Sequence, residues 1–321
     1  YSTSMLLDYD RADIKASKLR IKEWDYYLVT NDEFAVALTI SDNAYMGLMS
    51  ASIIDFKEVR EKTNSELVLF PMSKTDLPSS SKQGISKFKN KNVDFSFEKN
   101  ENERHLKVRY NRFDGDDPFF ADIVLTDEPA DSMVIATPFE KPKAFYYNQK
   151  IIGMKAKGTA EFAGKTYTFD NADSFGLLDW GRGVWTYDNT WYWGAGQGLV
   201  QGKVFGFNIG YGFGDTSAAS ENMLFYDGAA HKLDGVSFNI PQNVRGGYDF
   251  VSPWTFTSTD GRFEMDFKPI IDRAALISLA VLKSDQHQVF GTFTGKAVLD
   301  DGTVLEIKDF LGFAEKVHNK Y

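Results

Sequence analysis

The chain is predicted to be an all-β protein, folded as two antiparallel β-barrels or strongly curved sheets with minor helix. Three observations predict this. Dipeptides of the tight-turn kind, Asn31-Asp32, Asp227-Gly228, Asp260-Gly261 and Asp301-Gly302, each separate runs of alternating apolar residues. Within those runs apolar and polar positions alternate with the period of a strand. The aromatic load is high, with 27 Phe, 15 Tyr and 6 Trp making 15% of the chain, and such residues favour strands and line apolar cavities.

In chain order, Trp24–Tyr27, the turn at Asn31-Asp32 and Phe34–Ile40 form a first hairpin. Asp55–Ser65 alone has helical composition and supplies the minor helix, while Ser79–Gly84 reads as loop. Lys82, Lys87, Lys89 and Lys91 have no acidic residue between them and mark a solvated face. Val93, Phe95 and Phe97 alternate, as do Leu106, Val108 and Tyr110, with the charged stretch Glu98–Arg104 as connection. Pro129, Pro138 and Pro142 bracket a strand at Met133–Thr137, and the strand pattern restarts after Asn148, so the two units are expected at residues 1–150 and 151–321. Trp191–Trp193, a turn and Val204–Ile209 repeat the order of the first hairpin. In Val204–Phe213, Gly206, Asn208, Gly210 and Gly212 share one face, which leaves room for a ligand or permits tight curvature. Trp254 and Phe256, then Phe263, Met265 and Phe267 across Asp260-Gly261, form a half-buried hairpin.

At 321 residues with a net charge of −9 spread over the chain, a sizeable core is available and nucleic-acid binding is disfavoured for want of a basic face. The absence of cysteine removes disulfides, thiolate metal sites and a cysteine nucleophile. The most apolar stretch, Ala274–Leu282, is nine residues, against about 20 needed to span a bilayer. No basic-then-apolar leader opens the chain, so no transmembrane segment and a soluble, cytoplasmic protein are expected. No Gly-x-Ser-x-Gly elbow, phosphate-binding loop or His-Glu-x-x-His helix occurs, and Gly194-x-Gly196-x-Gly198 is not followed by a helical pattern. The four histidines have no metal-ligand spacing. No metal and no cofactor are expected, and the oligomeric state is left open.

The segment Ser174–Gly214 concentrates the chemistry. Four of the six tryptophans, Trp180, Trp185, Trp191 and Trp193, fall within 14 residues, together with Asp179 and Arg182. A carboxylic acid among indoles is poorly solvated, which raises its pKa toward that of a general acid, while a guanidinium nearby pulls the other way. Two readings stand: a buried Asp179–Arg182 pair plugged by Trp180 and Trp185, or a pocket lined by Asp179 and Arg182 and walled by Trp185, Trp191 and Trp193. Asn208 and Tyr211 of the following strand are further candidate ligand-binding residues, Glu221 follows as a possible second carboxylate, and His287 is the one histidine in a mixed polar patch, before a strand.

The strings Ser174–Trp185, Ser220–Gly228, Thr257–Phe263 and Gly312–Glu315 resemble the bacterial family designated domain of unknown function 2804, with Asp-Trp-Gly-Arg-Gly at 179–183 the most distinctive. More remotely the layout is similar to double-calycin proteins such as carotenoid 1,2-hydratases and tocopherol cyclases. That resemblance implies two lipocalin-like barrels and protonation of an isoprenoid double bond by a carboxylic acid. Those relatives carry a His between the acid and Trp-Gly; here Asp179 runs directly into Trp180-Gly181.

The expected function is therefore a cofactor-independent isomerase, hydratase or cyclase that protonates an apolar unsaturated substrate. Asp179 is its acid, Arg182 tunes that acid, Glu221 is a second carboxylate, and the tryptophans form a cation-tolerant wall. The alternative is a protein that binds a small apolar or aromatic molecule, a lipid, isoprenoid or metabolite, without turnover; stacking of sugars on tryptophan is a third reading.

Overall fold

The computed structural model describes residues 1–72, 74–279 and 282–320. The apolar stretch Ala274–Leu282 lies partly outside these. Among the described residues strands account for 64%, and the helix consists of two short 3-10 turns, Arg11–Asp13 and Lys18–Arg20. The chain forms two compact units, one spanning Ser2–Trp185 and the other residues 186–321 together with Tyr1. Their border falls at Trp185, not near residue 150, because the strand that begins at Phe145 runs on unbroken to Phe162 inside the first unit.

The first unit contains β1 (Ile21–Thr30), β2 (Phe34–Asp42), β3 (Met46–Asp55), β4 (Arg60–Leu69), β5 (Gly84–Lys89) and β6 (Val93–Lys99). It continues with β7 (Arg104–Asp114), β8 (Asp117–Thr126), β9 (Met133–Pro138), β10 (Phe145–Phe162), β11 (Lys165–Phe169) and β12 (Phe175–Val184). These make one strongly curved half-barrel sheet, antiparallel in the order β4-β3-β2-β1-β12-β10-β8-β7-β6-β5, with β9 and β11 also paired to β10. The helix expected at Asp55–Ser65 is instead the end of β3, a turn and the start of β4.

The edge strands β4 and β5 are not paired with each other by backbone, and side chains tie β4 instead to β7 and to the turn between β5 and β6. From β4, Lys62 Nζ reaches Asp114 at 2.6 Å, and Asn64 Nδ2 donates to the carbonyl of Phe113 at 2.9 Å. Both oxygens of Glu66 accept from side-chain amides, Asn90 at 2.7 Å and Asn92 at 2.8 Å. Lys87 and Lys89 are exposed on edge strand β5, where charge discourages pairing with a further chain. The core face carries Val29, Val36, Leu38, Phe95, Val108, Phe119, Ile151 and Trp180.

The second unit contains β13 (Asp188–Val200), β14 (Lys203–Tyr211), β15 (Met223–Tyr226), β16 (Ala229–Lys232) and β17 (Val236–Asn239). Beyond these come β18 (Trp254–Ser258), β19 (Phe263–Leu279), β20 (Leu282–Val298) and β21 (Val304–Lys320). Its sheet runs β16-β15-β14-β13-β21-β20-β19-β18-β17 and encloses phenylalanines 205, 207, 256, 263, 267 and 293 with Trp254. The turns anticipated at Asp227-Gly228, Asp260-Gly261 and Asp301-Gly302 each close a hairpin. Among the described residues no helix is long and apolar enough to cross a membrane.

Candidate functional site

β12 is the Asp-Trp-Gly-Arg-Gly strand, held centrally between β1 and β10 and buried along its whole length. Successive side chains of a strand point to opposite faces. Trp180 and Arg182 therefore share the core face, whereas Asp179, Gly181 and Gly183 share the other. Gly181 is there because the Trp24 indole lies across it: a Cβ would come within 1.9 Å of that ring. Trp24 in turn stacks on Tyr146 at 5.7 Å and meets Trp185 edge-on at 5.1 Å.

The expected Asp179–Arg182 pair does not form, for three residues along a strand reverse the face. Asp179 is bound by Lys150 Nζ at 2.9 Å and by Asn148 Nδ2 at 2.6 Å, both from β10. Arg182 is fully buried and faces Asp25, with Nη1 donating to Asp25 Oδ1 at 2.9 Å and to the Trp24 carbonyl at 2.7 Å, and Nη2 to the Pro78 carbonyl at 2.9 Å. Ser86 Oγ donates to the second Asp25 oxygen. The guanidinium lies 4.2 Å from the centre of the Trp180 ring, a cation-π contact.

Glu23, the strand partner of Arg182, completes a polar cluster on the core face. Its carboxylate pairs with Arg11 from the segment preceding β1 and is buried. Burial pushes this carboxyl above the usual range, against the pull of Arg182 and Arg11. Tyr9 and Tyr147 stand edge-on to Trp180 at 6.4 and 5.6 Å. Burial first, then the Glu23 charge, keeps the Tyr9 phenol protonated far above its ordinary pKa. The Tyr9 hydroxyl is directed at the Glu23 carboxylate, while two buried donors of this cluster, Trp180 Nε1 and Arg182 Nε, have no hydrogen-bond partner among the described residues. Each such group costs about 1–3 kcal/mol when left unsatisfied, and an acceptor arriving with a ligand would recover that.

Segment 2–20 closes this end of the unit. Ser2 bridges to Val134, the Tyr9 amide donates to the Ser79 carbonyl at 3.1 Å, and Tyr147 Oη donates to the Leu7 carbonyl at 2.7 Å. Glu23, Tyr9 and Arg11 are not marked by local pattern, because they lie far from the tryptophan cluster in sequence. The signal the sequence carries for them is the aromatic hairpin Trp24–Ile40, whose first strand pairs with β12.

The remaining expected residues belong to the second unit, so Trp191, Trp193 and Glu221 share no unit with Asp179 and Arg182. Trp193 Nε1 donates to Asn208 Oδ1 at 2.7 Å, and Asn208 Nδ2 donates to the Glu221 carbonyl at 2.9 Å. The space opposite Gly210 is taken by the Glu221 carboxylate, 2.6 Å from where a Cβ would stand. Trp191 Nε1 donates to Glu315 at 2.9 Å. Tyr211 stacks on Tyr192 at 4.6 Å, and His287 lies within β20, not before it, bound to Asp272 at 2.7 Å. Among the described residues no group of His, Asp and Glu is arranged to hold a metal.

Comparison with solved structures gives whole-chain matches. An AttH-type protein from Nitrosomonas europaea shares 13% identity at a TM-score of 0.58, with 97% of each chain covered. Kievitone hydratase from Nectria haematococca shares 12% at 0.50, covering 100% of this chain and 97% of its own. CghA, solved with Sch210972, shares 11% at 0.53, covering 99% and 94%. At these identities the likeness is one of fold, and it is the double-calycin-like fold that the sequence resemblance implied. No curated protein matches the chain. Matched by its family profile over residues 1–321, the chain belongs to the family described as domain of unknown function 2804.

Proposed function

We propose that the chain is a cofactor-independent enzyme of the hydratase or isomerase type, which protonates an apolar unsaturated substrate in the first unit with Glu23 as the acid. The observation that carries this reading is a buried carboxyl with a raised pKa, facing Tyr9 and Arg182 in a cluster where two buried donors, Trp180 Nε1 and Arg182 Nε, lack partners among the described residues. The acid role first given to Asp179 passes to Glu23, because Asp179 is held on the opposite face of β12 by Lys150.

In the proposed step the Glu23 proton goes to one alkene carbon, leaving a cation on the other. The Trp180, Tyr9 and Tyr147 rings face that charge without attacking it. Water then adds and loses a proton to the Glu23 carboxylate, or a neighbouring C–H loses its proton to the same group, which restores the acid in either case. Arg182, fixed by Asp25, keeps the returning carboxylate from rising too far in pKa. The unpartnered donors favour a substrate that carries an oxygen acceptor besides its apolar body. That one protein of similar fold is named a hydratase supports this reading.

The test is incubation of the protein in heavy water with a lipid extract of its host, read by mass spectrometry for deuterium uptake or addition of water. Glu23→Gln should reduce turnover roughly 100-fold or more, while Asp179→Asn, if its melting transition stays intact, should retain most of it. Full activity of Glu23→Gln would overturn the assignment. Because the acid form is required, turnover should decline as pH rises through the raised Glu23 pKa, and Glu23→Asp should move that decline.

A further inference from the structure

Across four consecutive strands of the second unit, His287, Lys316, Tyr192 and Tyr211 occupy directly paired positions on the core face. Loop 240–253 lies against this row. Phe250 stacks face to face on the His287 ring at 3.9 Å and 12°, and Tyr248 Oη is 3.2 Å from Tyr192 Oη. The loop is internally fixed: Asn243 Oδ1 accepts from the Arg245 amide at 2.9 Å, and Asp249 holds Ser252 Oγ at 2.8 Å.

Within this row the charge of Lys316 is unanswered. Its ammonium lies 5.1 Å from the Tyr248 ring centre and 5.9 Å from that of Tyr192, and among the described residues it makes no ion pair and no hydrogen bond. The neighbouring carboxylates are otherwise disposed: Asp272 Oδ2 holds His287 Nδ1, and Asp285 Oδ1 stands 3.6 Å from Nε2. Asp272 Oδ1 is buried without a partner. In a chain of net charge −9, a half-buried cation without a counter-ion, walled by aromatic faces, is suited to a flat anion.

We propose that this row is a binding site for a small aromatic carboxylate. Lys316 takes the carboxylate, the Tyr192, Tyr248 and Phe250 rings take the apolar ring, and His287, oriented by Asp272, lies beside it. The site uses no residue of the Glu23 cluster and does not depend on the reaction assigned there.

The test is an NMR titration of the intact protein with benzoate, following the ring signals of its four histidines, and then with benzyl alcohol, which keeps the ring and lacks the charge. Benzoate should shift His287 and leave His105, His231 and His318 in place, and benzyl alcohol should bind at least about tenfold more weakly. Lys316→Met should weaken benzoate by a similar factor, and Lys316→Arg should retain it. An unmoved His287, or equal binding of the two probes, would overturn the proposal. So would undiminished benzoate binding by a folded Lys316→Met protein. If Lys316→Met does not fold, the comparison of the two probes decides.

Discussion

Lys22 shows what a buried charge does to this protein. Its ammonium donates to Tyr45 Oη at 3.0 Å and to the Asn43 carbonyl at 3.3 Å and lies 4.1 Å from the Tyr45 ring centre, yet burial lowers its pKa to about 7. The unfolded chain holds that proton up to about pH 10.4. Between these values the unfolded state binds more protons than the folded one, so the Lys22 contribution to stability rises as pH rises from about 7 and is lost below it. Thermal unfolding from pH 7 to 10 should show Lys22→Met with a flatter pH dependence than the natural chain. At the same scale Asp179 and Arg182 were each found in the sequence, but their partners were not. Three residues along a strand cannot face one another, so the period alone forbids the pair once 174–184 is read as a strand. Lys150 and Asp25 are then legible only through strand order, which local pattern does not contain.

Strand β12 explains its own motif. Trp180 and Arg182 alternate with Gly181 and Gly183 so that one face holds a cation-π pair while the other lets Trp24 lie flat across the backbone. Gly181→Ala should force the Trp24 indole from its stack with Tyr146 and Trp185, costing on the order of 1–3 kcal/mol as overpacking; a lowered denaturation midpoint with quenched or shifted tryptophan emission measures this. The hairpins at 31–32, 227–228, 260–261 and 301–302 were readable because their turns and flanking alternation agree. The stretch Asp55–Ser65 was misread for the opposite reason. It ends in edge strand β4, whose burial is never complete at any position, so no apolar alternation marks it and its charged residues imitate a helix face.

For the whole molecule, two β units could be counted from the sequence, but their border could not be placed. Met133–Thr137 looked like the end of a unit, whereas β10 returns into the same sheet to pair with β8, β9, β11 and β12. In the first unit, side chains also tie edge strand β4 to β7 and to the turn between β5 and β6. Glu66→Ala removes the acceptor of both Asn90 and Asn92. It should speed amide hydrogen exchange in β4 and cost about 1–3 kcal/mol in global stability, with exchange in central β12 rising only to the extent of that global loss.

Segment 2–20, tied down by Ser79, Val134, Tyr147 and Glu23, sets a clock as well as a wall. If it is the way out, a guest beside Glu23 departs no faster than these tethers release together. Its dwell time then has a floor set by the protein, shared by weakly held occupants whatever their chemistry.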